Sequence, residues 1–235
     1  MTTNVFKQWC SKELLEIVYN TPPLYPPGER FYFGHITNML LLGTAMKIRM
    51  GMSVKKLINK YIIDALNLNN TQYQNRQNIA QPTFHTFTNN RISYYEDSTF
   101  WNSSWGSYST KINADANDVN TIGVNIGAGS LISKRLYDIQ LSNPGEPSAS
   151  YYGMGLGING FGLDYLINKK YPHSIVWTNE SDNGNFGIWA YIPRKKICIN
   201  IQSNTYNSDN FSINMVLQDF LNTYSSKQMK RLVCS

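Results

Sequence analysis

Between residues 187 and 202 the chain carries two short β-like runs, Gly187 to Ile192 and Lys196 to Gln202, with Pro193 at the turn between them. In the second run Ile197, Cys198, Ile199, Asn200 and Ile201 keep an apolar pattern that fits a strand. A third β-like run, Tyr151 to Ile158, comes earlier, and Asn210 to Tyr224 closes the pattern as an amphipathic helix through Met215, Val216, Phe220 and Leu221. Late strands followed by a terminal helix must bury their apolar faces on each other. With helices upstream, this suggests an α+β domain.

The upstream helices are marked by periodicity and by breakers. Lys7 to Tyr19 reads as a short helix with Phe6, Leu14, Leu15 and Val18 roughly on one face. The paired prolines of Thr21 to Gly28 end it. Ile36 to Met52 is apolar enough to be a buried helix. Ser53 is an N-cap for a further helix, Val54 to Asn67, with Leu57, Ile58, Tyr61, Ile62 and Leu66 apolar. Thr71 to Ala114 has no helical period and is expected to be irregular and partly buried. Asp118 to Gly129 and Leu131 to Leu141 are helix candidates parted by Gly127-Ala128-Gly129. No internal repeat or linker interrupts the chain, so one domain over residues 1–235 is expected.

Composition narrows the function classes. Charged residues make up only 15%, while 10 Phe, 16 Tyr and 5 Trp supply anchors for a folded core. The net charge of +6 is spread over Lys55, Lys56, Lys60, Lys169, Lys170 and Arg194 to Lys196, with no arginine-rich arm. Neither a nucleic-acid partner nor a membrane is therefore expected. Cys10, Cys198 and Cys234 are odd in number and far apart, which gives no disulfide framework and no metal spacing; Cys198 is expected to be a buried strand residue. His35, His85 and His173 are too dispersed to specify a metal centre, and no cofactor is expected. The start lacks an apolar signal-peptide core and no apolar run reaches membrane-spanning length, so a soluble, intracellular product is the expectation. The four Asn-x-Ser/Thr sequons at Asn69, Asn102, Asn179 and Asn210 follow from an Asn-rich composition.

The order of several motifs carries a resemblance. Leu24-Tyr25-Pro26-Pro27-Gly28-Glu29-Arg30-Phe31-Tyr32-Phe33-Gly34-His35, followed by Thr37 to Gly43, is similar to the second-motif region of class C β-lactamases, DD-peptidases and related esterases. Gly51 to Thr71 resembles the next helix and its Leu-x-x-Thr end, and Tyr95 to Trp105 a segment of one branch of these hydrolases. Tyr152 to Gly157 is similar to a late Tyr-Gly-Leu-Gly strand, and Ala190 to Asn204 to the Ala-Tyr-Leu-Pro turn and closing strand. The chain thus resembles the serine β-lactamase/DD-peptidase-like hydrolases from about Ser11 onward. The resemblance implies an α+β, β-lactamase/transpeptidase-like fold, an antiparallel sheet flanked by helices, with its N-terminal part missing.

It also implies a chemistry to be tested. In the family a serine attacks a carbonyl, and a lysine three residues on helps remove its proton. A tyrosine passes a proton to the leaving group, and a Lys/His-Thr/Ser-Gly strand holds the substrate carboxylate. No Ser-x-x-Lys precedes Phe33; the one match, Ser53-Val54-Lys55-Lys56, sits where the family has a non-catalytic helix and reads as an N-cap. Phe33 and His35 occupy the second-motif place, and phenylalanine has no hydroxyl to transfer a proton. Tyr32 substitutes only if the turn shifts register; His35 either bonds an active-site group or is structural. Thr178, Asn179, Glu180 and Ser181 fall at the third-motif place without its basic residue or glycine, and His173-Ser174 is a rival placement.

Other motifs are weaker. Gly155-Leu156-Gly157-Ile158-Asn159-Gly160 matches a dinucleotide loop by letter, but its apolar alternation suggests a strand, and no Gly-x-Ser-x-Gly elbow is present. The expectation is a β-lactamase-related homologue that is catalytically incompetent as this chain. The alternatives are a binding module using a remnant cleft rimmed by Tyr95, Phe100, Trp101 and Trp105, or the C-terminal half of a split hydrolase. A fold lacking its early strands leaves a sheet edge, and a separate N-terminal fragment or a second copy is the expected partner to cover it.

Overall fold

The computed structural model describes residues 4–26, 28–29, 35–74, 84–89, 94–109, 111–142, 152–159, 169–170, 172–182, 184–206 and 215–224. The chain forms two compact units, one from Met1–His85, Ser98–Ile122 and Pro144–Ser150, the other from Thr86–Asp97, Gly123–Asn143 and Tyr151–Ser235.

In the first unit, helix α1 (Ser11–Tyr19) is entered through a reciprocal cap at Cys10, whose N–H donates to Glu13 Oε2 at 2.9 Å. Lys7 pairs with Glu13 at 3.3 Å and lies over the Trp9 ring at 3.5 Å. The Asn102 N–H donates to the Val5 carbonyl, its Nδ2 donates to Gln8, and Ser104 Oγ accepts the Trp9 N–H at 2.7 Å. Asn102 and Ser104, in a stretch irregular by sequence, thus fasten the chain before α1; Ser103–Gly106 there form a 3₁₀ helix.

Helix α2 (His35–Met50) forms where the apolar stretch predicts it, yet it is not a buried helix. Leu40 and Gly43 are enclosed, the latter against the Tyr108 ring, but Leu41, Leu42, Met46, Ile48 and Met50 face solvent. The unbroken apolar character therefore overstates burial. Ser53 caps α3 (Val54–Ile58), and the predicted helix to Asn67 is cut short: a wider π turn spans Asn59–Ile63 and residues 64–67 form turns. Beyond it Asp118 gathers the chain. Its carboxylate accepts the Asn70 N–H at 2.8 Å and the Thr71 hydroxyl at 2.7 Å. Asp115 accepts the Asp118 N–H at 2.8 Å at the start of α4 (Ala116–Gly127). Strands β1 (Gln72–Tyr73) and β4 (Ile112–Asn113) pair beside this knot.

The second unit holds an antiparallel sheet ordered β5-β6-β7-β8, made of Gly157–Ile158, Val176–Asp182, Asn185–Ile192 and Ile197–Ser203. The register Asp182↔Asn185 closes a tight hairpin in which Gly184 takes φ +90°. Alternation along β7 sorts its side chains by face. Ile188, Ala190 and Ile192 join Ile175 and the Leu217 and Leu221 side chains of α6 (215–224) in the core. Trp189 and Tyr191 point the other way, onto the end of α4, where Gly123 faces Cys198 and Trp189 and Gly127 faces Tyr191. Those glycines let the helix backbone approach the sheet. Helices therefore flank an antiparallel sheet, as expected.

Three sequence readings change here. Tyr151 to Ile158 is not one strand: Tyr152 bridges Gly157, and the chain turns through Gly155 at φ +83°, closed by the Gly153 N–H donating to the Leu156 carbonyl at 2.7 Å. Strand β6 is an addition, hidden in the sequence because Thr178 to Asp182 are all polar. Cys198 lies on β8 half-buried, and burial pushes its thiol up to about 11. Helix α5 (Lys134–Leu141) starts at a Ser133 cap, inside the predicted Leu131–Leu141 span. The second unit also contains a small sheet of β3 (Glu96–Asp97), β2 (Phe87–Thr88) and β9 (Thr205–Tyr206). On α6, Met215 and Phe220 are 63% and 49% exposed, so its outer side carries apolar surface.

Candidate functional site

The segment expected at the third-motif place is the one the described residues cover most fully. Asn159 sets its start. Held at φ +59°, a conformation asparagine tolerates better than most residues, its side-chain oxygen accepts both the N–H (2.7 Å) and the hydroxyl (3.2 Å) of Ser174. Its carbonyl accepts the Trp177 indole N–H at 3.1 Å. The rival placement at His173-Ser174 therefore puts a fully buried, structurally engaged serine at the entry to β6. His173 is half-buried, and desolvation lowers its pKa against the raising effect of Asp138. Its Nδ1 is buried with no hydrogen-bond partner among the described residues.

From there β6 runs antiparallel to β7, with Thr178 opposite Trp189 and Asn179 opposite Ile188. The period of two separates the candidates: Thr178 and Glu180 share one face, and Asn179 lies on the other. Thr178 is half-buried, with its hydroxyl donating to the Asn179 carbonyl at a long 3.5 Å, while Asn179 is exposed. Glu180 keeps solvent contact at its surface, yet the protein around its carboxyl desolvates it and pushes its pKa up; the Asn185 amide, donating at 3.4 Å, works against that. Strand β5 pairs with β6 only at Val176 and Trp177. From Thr178 to Asp182, therefore, β6 has a partner strand on one side only among the described residues. Such an edge offers main-chain N–H and C=O groups to an extended ligand.

The other candidates do not join this segment in one described site. Phe33 lies outside the described residues, as does Tyr32. His35 is the first residue of α2, with its side chain outside the description. Ser53 Oγ accepts the Lys56 N–H at 3.3 Å, the bond of an N-cap, and both residues are exposed. The Gly155–Gly160 match opens no helix among the described residues: Gly157 belongs to β5 and lies against the Trp177 ring. Tyr95 and Phe100 are exposed, while Trp101 and Trp105 are half-buried. Among the described residues no three His, Cys, Asp or Glu side chains are grouped to hold a metal ion, and no helix is long and apolar enough to cross a membrane. Sequence reasoning missed Asn159 as the anchor of β6 and the raised titration of Glu180 on that strand. The turn-forming Asn159-Gly160 pair was the available signal for the first.

Comparison with known proteins supplies the frame for these residues. The family model described as Beta-lactamase matches residues 2–221. No curated protein sequence matches the chain. Among solved structures, a D-amino acid amidase from Ochrobactrum anthropi SV3, complexed with L-phenylalanine amide, is similar at a TM-score of 0.77 and 14% identity, over 97% of this chain and 67% of that one. A penicillin binding protein from Bacillus halodurans gives 0.72 and 15% over 93% and 65%. A D-stereospecific amidohydrolase from Streptomyces sp. gives 0.72 and 18% over 84% and 57%. At these identities the likeness is one of fold, and the chain spans about three-fifths to two-thirds of each of these proteins.

Proposed function

Since the chain belongs to the beta-lactamase family, we propose that it is a β-lactamase-related hydrolase homologue that does not carry out acyl transfer as this chain. The observation that carries this reading is β6. Where the family holds a substrate carboxylate with a cation, this strand offers Thr178, Asn179 and Glu180, with the two polar candidates on opposite faces and an acid next to them. A second carboxylate there repels the group the family binds. The missing nucleophile is the companion argument. A serine hydroxyl needs an adjacent base, and Ser53, the one serine spaced correctly from a lysine, serves as a helix cap. The purified chain, given a chromogenic β-lactam, a p-nitrophenyl ester and D-phenylalanine amide, is expected to hydrolyse none above the buffer rate. Saturable hydrolysis abolished by Ser53→Ala contradicts the proposal.

A second reading is favoured by the open edge of β6. An extended polypeptide adding to Thr178–Asp182 makes this a binding module instead of an enzyme. A screen of peptides by thermal shift tests it; the absence of any stabilising ligand counts against it. Both readings treat the two units as one β-lactamase-related domain, shortened relative to the family. Among the described residues its sheet ends at β8, and a separate N-terminal fragment or a second copy pairing there would cover that edge and join it to a nucleophile. A nucleotide frame upstream of Met1 that encodes Ser-x-x-Lys between two short strands and a helix would favour this arrangement.

A further inference from the structure

The first unit carries a feature that acyl transfer does not use. Helix α2 turns Leu42, Met46, Arg49 and Met50 to one side, at spacings of four, seven and eight residues from Leu42. That side meets the end of α3 and the π turn after it, and an open groove of about 470 Å³ lies between them. Ala45, Met46, Met50, Ile58, Tyr61 and Ile62 line it, with the stem of Arg49 among them. The apolar surface continues beyond the groove at Leu42, one turn before Met46 and 54% exposed. A contiguous exposed apolar surface of this kind marks a site of contact with something less polar than water.

The charges around it indicate what. From Arg30 to Ile63 there is no Asp or Glu, whereas Lys47, Arg49, Lys55, Lys56 and Lys60 all fall within the helices that frame the groove or the turn beside them. Arg49 lies in the groove wall. Lys60 reaches over the ring of Tyr61, a groove residue, at 5.0 Å. Lys55 is three residues before Ile58, on the same side of α3. Among the described residues none of these cations has an acidic partner. Along the sequence these cations are only part of a scattered positive charge; in the fold Arg49, Lys55 and Lys60 border one apolar strip.

We propose that this face of α2 and α3 docks peripherally on an anionic lipid bilayer. The apolar side chains enter the headgroup–acyl boundary, and the lysines and Arg49 meet lipid phosphates. An acidic or purely apolar protein partner is the competing occupant, but Arg49, Lys55 and Lys60, none with an acidic partner among the described residues, against the one acid Asp64 at the end of the π turn, favour a negatively charged surface.

The test is co-sedimentation of the full chain with vesicles of phosphatidylcholine alone and of phosphatidylcholine with about a third phosphatidylglycerol. At roughly one decade of affinity per one to two cations engaged, binding to the anionic vesicles should exceed binding to the neutral ones at least about tenfold and weaken with added salt. Lys55→Glu with Lys60→Glu should lower it by about tenfold or more, and Leu42→Ser with Met46→Ser should lower it too. These residues are exposed, so a near-UV circular dichroism spectrum like that of the parent chain should confirm intact folding in both variants. Equal binding to both vesicle types, no binding, or a salt-resistant dimer dissociated by Met46→Glu would each overturn the proposal. Vesicle binding is independent of whether the chain hydrolyses anything.

Discussion

Substituting Gly127 tests how the sheet is held. The glycine ends α4, and a methyl group added there runs into the Cβ, Cγ and Cδ1 of Tyr191 on β7. Tyr191 is only 5% exposed, and its Cβ is one bond from the backbone of an interior strand, so rotation about its side chain cannot clear the overlap. Helix and sheet must part instead. Overpacking a close-packed interface costs about 1–3 kcal/mol. Alanine regains at most about 1 kcal/mol of helix propensity, and less at a helix end. Gly127→Ala should therefore destabilise the protein by about 1–2 kcal/mol. At about 2–4 °C per kcal/mol for a chain of this size, the melting temperature followed by circular dichroism should fall by about 2–8 °C. Gly123→Ala supplies the contrast. Its methyl meets the Cys198 sulfur at 2.6 Å and the Trp189 ring at 3.2 Å, so Cys198→Ala should relieve much of its cost, with a coupling of about 0.5–3 kcal/mol. A Gly127→Ala protein as stable as the parent, or more so, would refute the claim that α4 approaches the sheet through these glycines.

Removing the Asp118 carboxylate strands the Asn70 N–H and the Thr71 hydroxyl, so Asp118→Ala should cost about 2–3 kcal/mol in denaturant unfolding, with Asp118→Asn costing less. An unchanged midpoint would mean the knot is not formed. Ser53→Ala should cost about 1 kcal/mol as a lost helix cap and leave probe reactivity unaltered. High pH should also destabilise the fold. Burial raises Tyr73 and Tyr137 from 10.0 to about 12 and the Cys198 thiol from 9.0 to about 11. Folded values above unfolded ones mean the stabilisation is full below the unfolded pKa and is lost as pH rises. The denaturation midpoint should therefore hold near pH 8 and fall between about pH 9 and 12, and a rise over that window would contradict the burial of these groups.

What could be read in the sequence divides along physical lines. Strands β7 and β8 were legible because each is rich in apolar residues across a proline turn, and α6 because Leu217 and Leu221 keep a helical spacing. Strand β6 was not, since Thr178 to Asp182 have no apolar member to show the period; its place follows from pairing with β7 and the anchor at Asn159. The Tyr152–Ile158 run misleads in the opposite sense, because Gly155 breaks what apolar alternation suggests. Helix α2 shows the limit of hydropathy: it reports that a face is apolar, not that anything covers it. Of the candidate site, Thr178 and Asn179 could be placed by counting along the chain, but their separation onto two faces needed the register. Glu180 was placed in that segment from the sequence, but its raised titration depends on neighbours that sequence does not identify.

The proposal that this chain has no working nucleophile is tested most directly by intact-mass analysis after incubation with a fluorophosphonate and with a penicillin probe. The chain should keep its unmodified mass with both reagents, folded and at neutral pH. A stoichiometric adduct that maps to Ser53, or to any other serine and is lost on denaturation before labelling, would contradict it.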